Sequence, residues 1–114
     1  MSELTVLLVD DEKDIADVYA LHLDRQYDMK VAYTGEDALE KMDSSVDVML
    51  LDRRMPGYPG DQVLADVRRE GWDCPVIFVS AVANDADEEV PADDYLEKPA
   101  DGKDLIEIVE KNAP

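Results

Sequence analysis

The chain has 114 residues, enough for one domain and hardly two. Hydrophobic residues make up 46 %, which builds a core and excludes a disordered acidic tail. The net charge is −18, and a field of that sign repels phosphate backbones and anionic lipid, so neither direct nucleic-acid binding nor a membrane contact is expected.

Asp outnumbers Glu 19 to 10 and there are only six Lys, a balance that points to a salt-accumulating, halophilic source. The single cysteine, Cys74, excludes an internal disulfide and a Cys-cluster zinc site. Met1-Ser2-Glu3 lacks the basic flank and apolar core of a signal peptide, and no apolar run approaches the roughly 18 residues that span a membrane. A soluble cytoplasmic protein is expected.

In chain order, Leu4 to Val9 is a short apolar run that ends at Asp10-Asp11 and reads as a strand buried on both faces. Residues 11–23 carry Ile15, Ala16, Val18, Tyr19 and Leu23 at near-helical spacing. Met29 to Ala32 reads as a second strand. Thr34, three residues before Asp37, reads as the cap of a helix whose apolar face is Ala38, Leu39 and Met42. Val46 to Leu51 is a third strand, ending at Asp52. Met55 to Gly60 is a dense turn signal. Residues 61–70 repeat apolar side chains at Val63, Leu64 and Val67, a helix that Gly71 would stop. Pro75 to Val79 is a fourth strand, ending at Ser80. Residues 81–92 are acidic and poor in apolar side chains, so a short helix or an acidic loop is expected there. Tyr95-Leu96 is a short fifth strand, followed by Lys98-Pro99. Residues 101–111 carry Leu105, Ile106, Ile108 and Val109, a last helix with Lys111 well placed at its C-terminal end.

Strands and helices alternate five times, the pattern of a parallel α/β sheet covered on both sides. Right-handed crossovers leave few arrangements, and a doubly wound five-stranded sheet of order 2-1-3-4-5 leads them. No repeat or second domain is apparent within residues 1–114.

Ligands of such sheets bind beyond the carboxyl ends of the strands. Asp10, Asp11, Asp52, Ser80 and Lys98 all fall there in this reading. Three carboxylates at one rim tolerate closeness only with a cation between them or with raised pKa values. The oxygen-rich set suits Mg²⁺, Lys98 suits a phosphoryl group, and Ser80 adds a hydroxyl donor. Together they describe phosphoryl transfer to a carboxylate.

With those residues in view, the chain resembles the receiver domain of two-component response regulators. The resemblance lies in Leu7-Leu-Val-Asp-Asp-Glu12, Asp47-Val-Met-Leu-Leu-Asp52 with Met55-Pro-Gly57, Val76-Ile-Phe-Val-Ser-Ala81 and Asp94-Tyr-Leu-Glu-Lys-Pro99. These stretches cover essentially the whole chain, so residues 1–114 are expected to form one receiver domain of flavodoxin-like fold. The resemblance implies Asp52 as phospho-acceptor and Mg²⁺ as cofactor, with Mn²⁺ as a substitute. It implies Asp11 as a direct metal ligand, Asp10 as one mainly through water, and the backbone carbonyl of Arg54 as another. Ser80 would hydrogen-bond the phosphoryl oxygen, Lys98 would pair with it, and Tyr95 would be the aromatic that turns inward with Ser80. A cis Lys98-Pro99 bond is implied too. The expected donor is a phosphohistidine on a sensor kinase or a phosphotransfer protein. The expected reader is a partner or a C-terminal output domain absent from this chain.

Some features differ from the family pattern. The interval from Ser80 to Lys98 is 18 residues, about one helical turn short, so the family's fourth helix should be shortened or irregular. That argues against the dimer face this helix forms in many relatives. It looks like haloarchaeal receivers. Arg53 and Arg54 follow Asp52 directly, and the Arg54 guanidinium could shield a phosphoryl group or pair with a carboxylate. Val82, at a rate-tuning position, offers no group to guide a hydrolytic water, which implies slow loss of phosphate.

Taken singly, most of these residues have plainer readings. Asp10-Asp11 could be helix-start residues, Lys98 a solvent lysine, and Tyr95 a core or edge aromatic. Gly57 and Gly60 read as turn residues, His22 as a surface residue, Cys74 as a loop residue before the fourth strand, and Asp85 to Glu89 as a solvated face. The chief alternative function is a pseudo-receiver, a binding module that never needs phosphate. An enzyme acting on an external substrate would need a cap or pocket for which 114 residues leave no room.

Overall fold

The computed structural model describes residues 4–81 and 92–114. The helix or loop expected over 81–92, with Val82 and the Asp85–Glu89 run, lies outside the described residues except at its two ends.

Five strands are present: β1 Thr5–Val9, β2 Asp28–Ala32, β3 Val48–Asp52, β4 Val76–Ser80 and β5 Asp94–Glu97. The described residues also form α1 Lys13–Leu23, α2 Gly35–Lys41, α3 Gly60–Arg69 and α4 Gly102–Asn112. All strand pairs are parallel, in the order β2-β1-β3-β4-β5. This is the doubly wound sheet that the alternation of elements predicts.

The sheet divides the core by residue parity, because successive side chains of a strand point to opposite faces. Val6, Leu8, Val48, Leu50, Ile77 and Val79 pack on one face against Ala16, Tyr19 and Leu23 of α1 and Leu105, Ile108 and Val109 of α4. Leu7, Val9, Met49, Leu51, Val76 and Phe78 pack on the other against Ala38 of α2 and Val63, Leu64 and Val67 of α3. Strands β3 and β4 are buried at every residue, which is why they read as unbroken apolar runs. The edge strand β5 instead alternates half-buried and exposed.

Local signals set the helix ends. The Thr34 hydroxyl accepts from the Asp37 amide at 3.0 Å, as its spacing predicts. Asp101 and Asp104 form a reciprocal capping box at the start of α4. Gly71, at φ 92°, ends α3. Val18 differs from its sequence reading: it faces solvent at 51 % exposure, since Ala16, Tyr19 and Leu23 already fill the buried stripe of α1. No helix among the described residues is long and apolar enough to cross a membrane.

Candidate functional site

Parallel strands of similar length end together, so the residues that follow them meet at one rim. Asp10 follows β1, Asp52 closes β3, Ser80 closes β4 and Lys98 follows β5. Asp10, Asp52 and Ser80 are buried.

Each is held by backbone chemistry. The Asp10 amide donates to the Ala32 carbonyl at 3.1 Å, continuing the β1–β2 ladder. Asp10 Oδ1 accepts from the Glu12 amide at 2.9 Å, a local turn that aims the carboxylate inward. Asp10 does not cap α1, which starts after Glu12 without a side-chain cap. The Lys98 amide donates to the Ser80 carbonyl at 2.7 Å, which carries the lysine over the rim. The Lys98-Pro99 bond is cis, as expected.

The side chains converge. Lys98 Nζ donates to Asp10 Oδ2 at 2.7 Å and lies 3.6 Å from Asp52 Oδ1. The Arg54 amide donates to Asp52 Oδ1 at 3.2 Å. Asp10, Asp11 and Asp52 each offer a carboxylate oxygen within 4.8 Å of the others. Arg54 itself is exposed.

Burial first, and then the Asp10 charge, push the Asp52 carboxyl up to about 7, against the opposing pull of Lys98 and the Arg54 amide. Burial works to lower the Lys98 pKa, but the hydrogen bond and charge of Asp10, with the charge of Asp52, outweigh it and raise it above the ordinary 10.5. Lys98 therefore faces a carboxylate cluster too crowded to ionise fully without more positive charge. The donors are all hard oxygens, and that set fits Mg²⁺.

Tyr95 lies on β5 opposite Phe78, with ring centroids 5.9 Å apart, and is 40 % exposed. Its hydroxyl accepts from the Ala92 amide at 3.4 Å. Beside Asp11, a cleft of about 240 Å³ opens between Tyr33, Thr34, Met55 and Tyr58. A larger cleft of about 470 Å³ lies at the other end of the sheet by Trp72 and Cys74, and none of the site residues lines it.

Sequence reasoning missed how the loop after β3 is built. The Arg53 side chain is buried and makes two hydrogen bonds to Asp61, at 2.8 and 3.0 Å. The Tyr58 ring packs on Gly35, and its hydroxyl bonds to Asp66. Nothing in the spacing of these residues announces either contact.

Residues 6–110 match the family model described as the response regulator receiver domain. A candidate transcriptional regulator of Haloferax volcanii is 46 % identical over 112 residues, which are 96 % of this chain and 19 % of that protein. The chain thus spans about a fifth of the length of that relative. A haloarchaeal relative agrees with the halophilic composition. The response regulator TrrA of Thermotoga maritima, solved in complex with Mg²⁺-BeF, superposes with a TM-score of 0.84 at 30 % identity, covering 97 % of this chain and 98 % of that one. The Vibrio cholerae chemotaxis protein CheY4 shares the fold with a TM-score of 0.90 at 24 % identity, over 97 % and 99 % of the two chains.

Proposed function

Because the chain belongs to the response regulator receiver domain family, we propose that it is a phosphorylation-dependent switch whose acceptor is Asp52. The observation that carries this reading is the convergence of three carboxylates within 4.8 Å, two of them, Asp10 and Asp52, facing the largely buried Lys98. A pseudo-receiver has no need of such a costly charge cluster.

In the proposed reaction, a carboxylate oxygen of Asp52 attacks the phosphorus of a phosphohistidine. An O–P bond forms, the N–P bond breaks, and the imidazole nitrogen keeps the electron pair. Asp52 must be ionised for this, and burial and the Asp10 charge oppose that. Asp10, Asp11, Asp52 and the Arg54 carbonyl would hold Mg²⁺, with Mn²⁺ as a substitute. When bound, the cation would neutralise the carboxylates and the charge that develops on the phosphoryl oxygens.

The remaining work falls to the chain's own groups. The acyl phosphate adds about 1.5 to 2 negative charges at the rim. Lys98 Nζ, already 3.6 Å from Asp52, would leave Asp10 and pair with the new oxygens. The Ser80 hydroxyl would donate to one of them and draw β4 towards the site. Tyr95, on the neighbouring strand, would turn inward as the loop beyond Ser80 moves. Its present exposure supports a role as the mobile group.

The partners would be a sensor histidine kinase or phosphotransfer protein and, downstream, an output domain or a separate reader. The Haloferax relative's greater length supports an output module outside this chain. A cytoplasmic location follows from that chemistry.

The deciding experiment is the intact mass after incubation with Mg²⁺ and acetyl phosphate in concentrated KCl, with Asp52→Asn beside the parent. One added phosphoryl group on the parent and none on the variant is expected. A folded parent that binds Mg²⁺ yet takes no phosphoryl, from acetyl phosphate or from a phosphorylated kinase, would favour the pseudo-receiver.

A further inference from the structure

We infer that the ion pair between the buried Arg53 and the partly exposed Asp61 is a positioning clamp that fixes the loop after β3 and thereby sets the affinity of the carboxylate site for divalent cation. The inference rests on the reading of Asp10, Asp11 and Asp52 as a cation site, and it assigns to Arg53 a role that the acceptor chemistry alone does not require.

The loop 54–59 is closed by Arg53 at one foot and by Gly60 and Asp61, the first two residues of α3, at the other. On the main chain, the Gly60 amide donates to the Arg53 carbonyl at 2.8 Å. On the side chains, Arg53 Nε and Nη2 donate to the two Asp61 oxygens at 2.8 and 3.0 Å. A guanidinium fork matched to one carboxylate fixes direction as well as distance. The guanidinium also lies 5.1 Å from the centroid of the Phe78 ring, so the cation is seated on the sheet and not on solvent.

What the clamp holds is the next residue. The Arg54 amide donates to Asp52 Oδ1, and the Arg54 carbonyl is the proposed backbone ligand. Both groups belong to the first residue beyond the clamp. If the fork opens, residue 54 loses its fixed position while the carboxylates keep theirs. Partners of metal-binding groups act in this way, and their loss costs about 10- to 100-fold in metal affinity.

Gly60 shows how closely the parts fit. A Cβ at this position would lie 2.5 Å from the Asp52 carbonyl oxygen and 2.7 Å from Arg53 Cα. The start of α3 therefore rests on the end of β3, and Asp61 follows at once.

The test is Mg²⁺ titration by calorimetry on the parent, Arg53→Met, Arg53→Lys and Asp61→Asn, with urea unfolding of each without metal. Ile108→Ala, on the other face of the sheet, serves as a purely destabilising control. The expected result is Mg²⁺ binding weakened about tenfold or more in Arg53→Met and Asp61→Asn, with partial recovery in Arg53→Lys. The control should lose stability and keep the parental affinity. Asp61→Asn keeps the side-chain shape at a partly exposed position, so it decides the matter if Arg53→Met fails to fold. Affinity within about twofold of the parent in Asp61→Asn overturns the clamp, whatever the change in stability. A parent that binds Mg²⁺ but accepts no phosphoryl overturns the proposed function and leaves the clamp to be judged on affinity alone. A parent that binds no Mg²⁺ overturns both.

Discussion

Lys98 Nζ donates to Asp10 Oδ2 at 2.7 Å across 88 residues of sequence; Asp10 is buried and the Lys98 side chain largely so. The pair joins the residues that follow β1 and β5, strands on opposite sides of the central β3. Removing one partner of a buried pair leaves an uncompensated charge and costs about 3 to 5 kcal/mol. Lys98→Met should lose roughly that much in urea unfolding at neutral pH without metal. Lys103 and Glu107, 4.0 Å apart and both largely exposed, give the contrast. Lys103→Met should change stability by less than about 1 kcal/mol. Equal effects of the two variants would show that the rim is wetter than its burial indicates.

The raised Asp52 pKa has a definite sign in pH dependence. The folded, metal-free protein keeps a proton on Asp52 up to about pH 7, whereas the unfolded chain releases it near the ordinary 3.8. Folded protein therefore binds more protons within that window, and this group's contribution makes stability fall as pH rises from about 4 to about 7. Asp52→Asn should remove that slope. Metal binding must displace the same proton. Mg²⁺ affinity, read by calorimetry, should climb about tenfold per pH unit below about 7 and level off above it. A flat profile from pH 5.5 to 8.5 would mean that Asp52 is already ionised at the lower end.

The strands were legible in the sequence where burial on both faces left an apolar run, as at Leu7–Val9 and Val76–Val79. The site was legible for the same reason. Asp10, Asp52 and Ser80 each follow such a run, Lys98 follows the short edge strand β5, and parallel strands bring their carboxyl ends together. What could not be read is whatever depends on which side chains meet after the sheet forms. Val18 is as apolar as Tyr19, but only the angular position of the buried stripe sends it outward. Arg53 and Asp61 are eight residues apart across a turn, a spacing that belongs to no regular element. Gly60, read as a turn residue, has an ordinary backbone, and its small size serves the approach of α3 to β3 instead.

That approach makes Gly60 a sensitive position. A methyl group there would meet the Asp52 carbonyl oxygen at 2.5 Å, and backbone atoms cannot swing aside as a long side chain can. Gly60→Ala should cost about 1 to 3 kcal/mol, as overpacking does, and should weaken Mg²⁺ binding because the end of β3 must move. Gly57→Ala is the useful comparison. A Cβ there meets nothing within 4 Å, but the residue sits at φ 78°, which strains any side chain. Its penalty should appear in urea unfolding at about 1 kcal/mol. An undiminished stability of Gly60→Ala would mean that α3 can slide off the strand end.

The net charge of −18 makes stability a function of salt. Like charges spread over a small domain repel in the folded state more than in the expanded chain, and screening relieves that repulsion. The screening length shrinks from about 10 Å at 0.1 M salt to about 3 Å at 1 M. Exposed pairs such as Lys103 with Glu107 lose strength over the same range, but each is worth little. The largely buried Lys98–Asp10 pair is screened far less. Relief of repulsion should therefore win. Raising KCl from 0.1 to 1 M should add at least about 1 kcal/mol to the free energy of unfolding, a Tm rise of about 4 to 8 °C for a domain of this size. Sucrose, which strengthens burial without screening charge, separates the two causes. If sucrose at equal osmolality reproduces the whole gain, apolar burial and not charge repulsion sets the salt requirement.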